Sequence, residues 1–213
     1  MRFLSFTAAA LLAVLPYASI AHAADSFYVG AKGDIANPSN SSVSGSSTGK
    51  VKYGFSSGAG IVGGWQPEAL SSDTGDVRFE GEASYHAMKL KNVLANTNPS
   101  GDLKAIALMG NAYYDFNTGT GFKPYVGAGV GQGFVKFPKG QGLGNSDSTQ
   151  NVFAYQAMAG VSYTPESMPQ TDWSLGYKYM GFEKPSFSDG AGGHVKLGSL
   201  HENAIEAGMR YHF

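Results

Sequence analysis

The chain has 213 residues, with 15 lysine and arginine residues against 16 aspartate and glutamate residues. This even balance does not favour nucleic acid as a partner. Cysteine is absent, which excludes disulfides and thiolate metal ligands within this sequence.

The first segment, MRFLSFTAAALLAVLPYASIAHA, has Arg2 near its start, then an apolar run, and ends in Ala21-His22-Ala23. This pattern is typical of a secretory signal peptide, and we predict cleavage after Ala23. The apolar run is too short for a membrane anchor. We therefore expect residues 1–23 to be removed and residues 24–213 to form one domain.

Eight later segments alternate between polar and apolar residues with a period of two, which indicates strands with two unlike faces. We predict these strands at about 26–36, 50–64, 76–88, 102–116, 122–137, 150–164, 171–183 and 199–213. Each can cross the apolar layer of a membrane, which takes about 9–11 tilted residues. The connections alternate between long polar ones, such as NPSNSSVSGSSTGK, and shorter ones, such as NTGTG.

Aromatic residues recur at both ends of the apolar faces, as in the girdles of transmembrane barrels. The predicted periplasmic girdle is Phe27, Trp65, Phe79, Phe116, Phe122, Tyr163, Trp173 and Phe213. The predicted extracellular girdle is Tyr53, Tyr85, Phe137, Phe153 and Tyr179. We therefore predict an all-β fold, an eight-stranded antiparallel transmembrane β-barrel with four longer extracellular loops and shorter periplasmic turns. The alternative is a soluble barrel with its apolar face inside.

Four segments, FYVGAKG, GNAYYDF, FKPYVGAGVG and AGMRYHF, occur in this order along the chain. With them the sequence resembles the small outer-membrane β-barrel family of opacity and surface-antigen proteins, and more distantly the OmpA and OmpX barrels. In such families a terminal aromatic residue, preceded by apolar residues at alternate positions, resembles the signal read by the barrel-assembly machinery. Phe213, Tyr211 and Met209 match that assembly signal.

Seven charged residues share the inward parity of the predicted barrel. They are Arg78, Glu80, Glu82, Lys178, Glu202, Glu206 and Arg210. Counted up from the periplasmic aromatic residues, Glu82, Lys178 and Glu206 fall at similar heights, and Arg78, Glu80 and Arg210 form a layer just below them. An eight-stranded barrel is only wide enough for its side chains to fill, so we predict that these charges pair across the lumen and plug it. One interpretation is an ionic core without further function. The other is a gate whose pairs exchange partners and pass small ions.

Glu82, Ser84 and His86 share one strand face and are the residue types of a nucleophilic triad. Residues two apart on a strand are separated by about 6.5–7 Å, so we expect no direct hydrogen bond between Ser84 and His86. The histidines at 194, 201 and 212 lack metal-ligand spacing. We predict no catalytic residue, no metal site and no cofactor.

These features favour an integral outer-membrane surface protein of a Gram-negative bacterium, with a structural role in the envelope and loops that act as in surface antigens or adhesins. One alternative is a small low-conductance porin or gated pore. A third is a lipid-modifying outer-membrane enzyme. The expected partners are lipopolysaccharide and phospholipid, the barrel-assembly machinery during biogenesis, and a host or surface ligand at the loops.

Overall fold

A computed structural model describes residues 26–45, 49–93, 102–136, 149–184, 186–188 and 194–213. Eight long strands, β1 to β8, are Ser26–Pro38, Gly49–Gln66, Gly75–Val93, Asp102–Phe116, Phe122–Lys136, Thr149–Tyr163, Thr171–Phe182 and Leu200–His212. All eight predicted strands are present, and β3 extends five residues beyond its predicted end. The predicted signal peptide lies outside the described residues and stays a prediction.

The eight long strands form a closed barrel in which each strand is antiparallel to both neighbours. β8 pairs with β1 from Tyr28 opposite His212 to Pro38 opposite Glu202, which leaves the barrel without an edge. Following paired residues once around the barrel from Tyr28 leads back to Pro38, ten residues further along β1. This stagger corresponds to a strand tilt of about 40°. The predicted fold class is confirmed.

The outer wall of the barrel carries the apolar face. All eight residues of the predicted periplasmic girdle lie on this wall with 38–68% of their surface exposed. Tyr85 and Phe153 of the extracellular girdle are also exposed and Tyr179 is half-buried, while Phe137 lies outside the described residues. Since the charges lie inside, the alternative of a soluble barrel is wrong.

Tyr53 is the one described girdle residue that was predicted wrongly. The pairing of β2 with β3 shifts register between Lys52 and Tyr53 and again between Tyr53 and Ser56. A β-bulge of this kind adds a residue and reverses which face the following positions occupy. Tyr53 therefore points into the barrel, where it is buried, and Phe55 takes the outward position.

The extracellular half of the lumen is filled by apolar side chains, although we expected an ionic lumen. This apolar plug consists of Val51, Tyr53, Met88, Leu90, Leu103, Ala105, Ala107, Met109, Val135, Val152, Ala154, Met180, Phe182 and Leu200. Its members come from seven of the eight strands and are all buried. Within the lumen, the charged side chains of the described residues lie below the plug.

Glycines on the inner face of β5 make room for large side chains of other strands, Tyr113 of β4 and Phe182 of β7. A Cβ atom added to Gly127 would lie 2.3 Å from the ring of Tyr113, and one added to Gly133 would lie 2.6 Å from the ring of Phe182. These distances are well inside van der Waals contact. At these positions β5 thus contributes only backbone atoms to the lumen, and large side chains of other strands fill the space beside it.

Short strands extend the barrel on its extracellular side. Ser41–Gly45 pairs with the start of β2 and with His194–Leu197, which in turn pairs with Ser186–Ser188. The amide of Gly198 donates to the carbonyl oxygen of Ser42 at 2.7 Å. The first and fourth extracellular loops are therefore joined through their backbones into one raised sheet.

The periplasmic connection between β2 and β3 contains a single 3₁₀ turn, Glu68–Leu70, and a two-residue strand, Ser71–Ser72. No helix within the described residues is long and apolar enough to cross a membrane.

Candidate functional site: the barrel lumen

The periplasmic mouth of the lumen is a polar cavity of about 300 Å³. Arg210 donates through Nη2 to Oδ2 of Asp172 at 3.0 Å, and Nε2 of His212 lies 2.9 Å from the same oxygen. On the opposite wall, Lys123 lies 3.3 Å from Asp76. Arg210, which the sequence placed among the inward charges, thus pairs with a carboxylate at the start of β7 that the sequence analysis did not identify.

Above this mouth the guanidinium of Arg78 lies among tyrosine rings. Its central carbon is 3.6 Å from the centroid of the Tyr113 ring. Its Nε donates to Oδ2 of Asp115 at 2.6 Å, and its Nη1 donates to the hydroxyl of Tyr28 at 3.2 Å. The cation is desolvated, and both an ion pair and aromatic faces compensate for the lost water. This layer contains side chains of β1, β3 and β4.

Lys32 on β1 occupies the middle of the lumen. Its Nζ is 2.5 Å from Oε1 of Glu80, 3.7 Å from Oε2 of Glu82 and 3.9 Å from Oε1 of Glu206. It also donates to the hydroxyl of Tyr113 at 2.9 Å. Three of the predicted inward carboxylates therefore converge on a cation that the sequence analysis missed.

Lys178 forms a second centre beside Lys32. Its Nζ donates to Oδ2 of Asp34 at 2.6 Å and to Oε2 of Glu206 at 2.7 Å. Glu206 therefore lies between two lysines. Glu82 accepts hydrogen bonds from the amides of Asn111 at 3.0 Å and Gln156 at 3.1 Å. Its nearest cation is Lys32 and not Lys178, which we expected at the same height.

The last polar layer lies directly below the apolar plug and contains Glu202. Oε2 of Glu202 is 3.6 Å from Nδ1 of His86, whose Nε2 is 3.2 Å from Oγ of Ser84. The expectation that Ser84 and His86 are too far apart for a hydrogen bond is wrong, because side chains on one strand face can lean toward each other along the strand. The order Ser84, His86, Glu202 is that of a nucleophilic triad, with the carboxylate from β8.

This triad-like row is closed to substrates. Ser84 is 5% exposed and His86 is fully buried, with Phe182 edge-on to the imidazole at 6.4 Å. Nδ1 of His86 and Oε1 of Glu202 have no hydrogen-bond partner in the described structure. The row is a buried polar contact between β3 and β8.

No group of three or more histidine, aspartate or glutamate residues within the described ranges has the geometry of a metal site. The seven sequence-predicted charges all lie buried in the lumen. The structure adds four partners to them. These are Lys32, Asp34, Asp115 and Asp172. Each has inward parity on a predicted strand, and this signal was present in the sequence.

A closed barrel with an apolar outer wall and an ionic lumen is the architecture of a bacterial outer-membrane protein. A family model of the outer membrane protein beta-barrel domain matches residues 5–213. The chain belongs to this family. Its predicted location, the outer membrane of a Gram-negative bacterium, is therefore confirmed.

A curated relative is the outer membrane protein PagN of Salmonella typhimurium (strain LT2). It is 32% identical over 124 residues, which are 53% of this chain and 50% of PagN. The chain thus matches about half the length of this relative.

Two solved barrels have the same fold. Neisserial surface protein A is 27% identical, with a TM-score of 0.53 and coverage of 88% of this chain and 97% of its own. OprG of Pseudomonas aeruginosa is 15% identical, with a TM-score of 0.58 and coverage of 89% and 96%. At that identity the likeness to OprG concerns the fold alone.

Proposed function

We propose that this outer-membrane protein is a surface protein in which a closed barrel supports extracellular loops that meet a ligand. The observation that carries the proposal is the filled lumen. The layer around Arg78, the two lysine centres and the apolar plug follow one another along the barrel axis. A lumen filled at each of these levels favours a function at the outer surface.

The likeness to Neisserial surface protein A supports this proposal, since that barrel is named as a surface protein. The raised sheet supports it further. Two loops held in one sheet present a defined shape, and Ser186–Ser188 lies at its edge. Strand edges and ordered loops are common binding surfaces. Surface-antigen and adhesin-like roles both use such a surface, and the ligand would be a molecule of the host or of another cell.

Exchange of loops tests the proposal. In the test variant, short turns replace both residues 40–48 and residues 185–198. We expect bacteria that display this variant to lose the binding to host cells that bacteria displaying the parent barrel show. The matched control replaces the periplasmic turn 165–170, which should leave binding unchanged. Both variants should keep the heat-modifiable mobility of a folded barrel. Unchanged binding by the folded loop variant would contradict the proposal.

The gated pore is the alternative, and one observation favours it. Glu206 lies 2.7 Å from Lys178 and 3.9 Å from Lys32, so its carboxylate can pair with either of the two lysines. We expect the refolded parent chain to show no steady single-channel current in a planar bilayer, with or without Lys178→Ala. A steady current that the substitution alters would instead assign the lumen network a gating role.

Phe213, with Tyr211 and Met209, supports a role for the end of β8 in assembly. All three side chains lie on the lipid-facing wall, and Phe213 is 68% exposed. We expect Phe213→Ala to lower the amount of barrel in the outer membrane of cells severalfold, while refolding of the purified chain into detergent is unchanged. Phe27→Ala, on the adjacent strand and similarly exposed, is the matched control. An equal loss in both variants, or in refolding, would refute a specific signal.

The third possibility, a lipid-modifying enzyme, has less support. Its only candidate nucleophile from the sequence, Ser84, is buried within the lumen and away from the lipid headgroups. We keep the absence of enzymatic activity as a prediction.

A further inference from the structure

Four buried polar residues directly below the apolar plug are left incomplete by the contacts described above. We call them the sub-plug cluster, which consists of Asp34, Ser56, His86 and Glu202. None of them is more than 8% exposed. Each has one side-chain atom without a hydrogen-bond partner, and these atoms are Oδ1 of Asp34, Oγ of Ser56, Nδ1 of His86 and Oε1 of Glu202. Because buried polar atoms nearly always have a partner in the protein, in water or in an ion, four such atoms in one region indicate a bound group.

The strand register brings two members of the cluster together over Gly58. Gly58 of β2 pairs with Asp34 of β1 on one side and with His86 of β3 on the other. A Cβ atom added to Gly58 would lie 2.8 Å from Oδ1 of Asp34 and 2.8 Å from Nδ1 of His86. Both side chains therefore lean over a position that has only backbone atoms, and their unpartnered atoms adjoin the same space.

Ser56 and Glu202 complete the cluster. Ser56 is the inward residue of β2 directly above Gly58, and it lies in one register row with an alanine of β1 and an alanine of β8. Asp34 lies two residues below this row on β1, and Glu202 lies two residues above it on β8. Oε2 of Glu202 is 3.6 Å from Nδ1 of His86, which is too far for a hydrogen bond. Short side chains thus line the wall between the two carboxylates.

The lumen contains more carboxylates than lysines and arginines. Along the described strands the inward cations are Lys32, Arg78, Lys123, Lys178 and Arg210, and the inward carboxylates are Asp34, Asp76, Glu80, Glu82, Asp115, Asp172, Glu202 and Glu206. Among these carboxylates, Glu202 is the one without a described lysine or arginine nitrogen within 4 Å. A buried carboxylate without a compensating charge is costly. The sub-plug cluster therefore lacks one positive charge.

We propose that the sub-plug cluster binds one alkali cation through oxygen atoms of Asp34, Ser56 and Glu202. Carboxylate and hydroxyl oxygens are the ligands of hard cations. A single positive charge matches the one uncompensated carboxylate, whereas a divalent calcium or magnesium ion takes about six or more oxygen ligands. Hard cations prefer oxygen to imidazole nitrogen, so His86 borders the site without being a required ligand.

The bound ion is part of the folded barrel. The apolar plug covers the cluster on the extracellular side, and the layer around Arg78 separates it from the periplasmic mouth. The ion therefore enters as the barrel closes, and its release requires the barrel to open. For such a site the free energy of ion binding contributes directly to the free energy of folding.

The test refolds the purified chain into lipid vesicles at fixed pH and constant ionic strength, with sodium replaced stepwise by N-methylglucamine, a cation too large for the cluster. One ion bound only by the folded state lowers the unfolding equilibrium constant about tenfold for each tenfold rise in sodium near saturation. We expect this dependence in urea titrations of the parent chain. Barrels refolded in radioactive sodium should keep about one ion per chain through gel filtration. A stability that is equal in both salts would overturn the proposal.

Glu202→Gln removes the uncompensated charge and keeps the size of the side chain. We expect this variant to lose the sodium dependence and to retain no radioactive sodium. In N-methylglucamine it should be at least as stable as the parent, because no unpaired carboxylate remains. A merely structural role of Glu202 would instead lower the stability in both salts and leave the sodium dependence unchanged.

Two further variants complete the test. Asp76→Asn removes a carboxylate at the periplasmic mouth and, as the matched control, should keep the full sodium dependence. Ser56→Ala removes one uncharged oxygen and should move the dependence to about tenfold higher sodium. If Glu202→Gln keeps the dependence, or if Asp76→Asn loses it as well, the effect is a general response of the lumen to salt and the proposal is wrong. The measurements use no host cells, so their outcome is independent of the loop-exchange test.

Discussion

Replacing Lys178 with methionine should lower the free energy of unfolding of the barrel by about 3–5 kcal/mol. The substitution removes the ammonium group that lies 2.6 Å from Asp34 and 2.7 Å from Glu206. Both carboxylates are buried, so each loses its closest compensating charge in a place that water does not reach. Urea titration of the refolded barrel in lipid vesicles, followed by tryptophan fluorescence, measures the change.

Lys123→Met is the matched control, because the Lys123 side chain is 38% exposed at the periplasmic mouth, so solvent screens its ion pair with the largely buried Asp76. A partly exposed ion pair contributes about 1 kcal/mol or less. Adding Asp34→Asn and Glu206→Gln to the Lys178 variant should recover part of the loss, since the unpaired charges are then gone. A loss in Lys178→Met no greater than that of the control would show that the lumen charges do not depend on one another.

Gly131→Val should prevent the barrel from closing. A Cβ atom on Gly131 would lie 2.0 Å from the carbonyl oxygen of Leu108 and 2.8 Å from Cα of Met109. Both atoms belong to the backbone of β4, so no side-chain rotation relieves the clash. Overpacking costs about 1–3 kcal/mol where side chains can adjust, and a backbone clash exceeds that range. We expect no heat-modifiable species after refolding from urea.

Gly33→Val is the corresponding control on the outer wall. Its added Cβ atom would meet only the carbonyl oxygen of Gly58 at 3.9 Å, and the valine would face lipid. This variant should refold with the yield of the parent. If Gly131→Val also refolds fully, then β4 and β5 can separate locally, and the tight inner face of β5 does not determine folding.

The fold could be predicted because period-two alternation depends on backbone geometry alone. In β3, for example, Phe79 and Tyr85 face outward while Arg78, Glu80 and Glu82 face inward, as their parity requires. The prediction failed at Tyr53, where a bulge next to Gly54 changes the parity, and a glycine within a strand was the one available signal of it. A single residue added to one strand reverses the parity of the positions on one side of it, and the alternation of polar and apolar residues does not by itself show where this happens.

The candidate site was predictable as a set of inward charges but not as a set of pairs. The stagger of ten residues around the barrel decides which strands bring their charges to one height. The sequence contains no direct record of that stagger, so Glu82 was expected beside Lys178 but lies beside Lys32. Lys32 and Asp34 also have inward parity in the first predicted strand, but parity alone does not show that they lie beside Glu80 and Lys178.

The apolar plug was missed for a different reason. Near the extracellular ends of the strands the inner face becomes apolar and the outer face becomes charged. For example, Leu103 and Ala105 point inward while Lys104 points outward. The sequence prediction gives every strand a polar inner face along its whole length. This is correct near the periplasmic ends and wrong near the extracellular ends. Membrane thickness limits the apolar outer face to about 25 Å, and the long strands β2 and β3 continue beyond it.

The seam between β1 and β8 joins strands that are neighbours in the wall but far apart in the sequence. The residues paired across it are more than 160 positions apart. Until it forms, β1 and β8 each present unpaired amides and carbonyls that lipid cannot satisfy. Contacts of such long sequence separation form slowly. Before that pairing forms, both free strand edges are open to pairing with other chains.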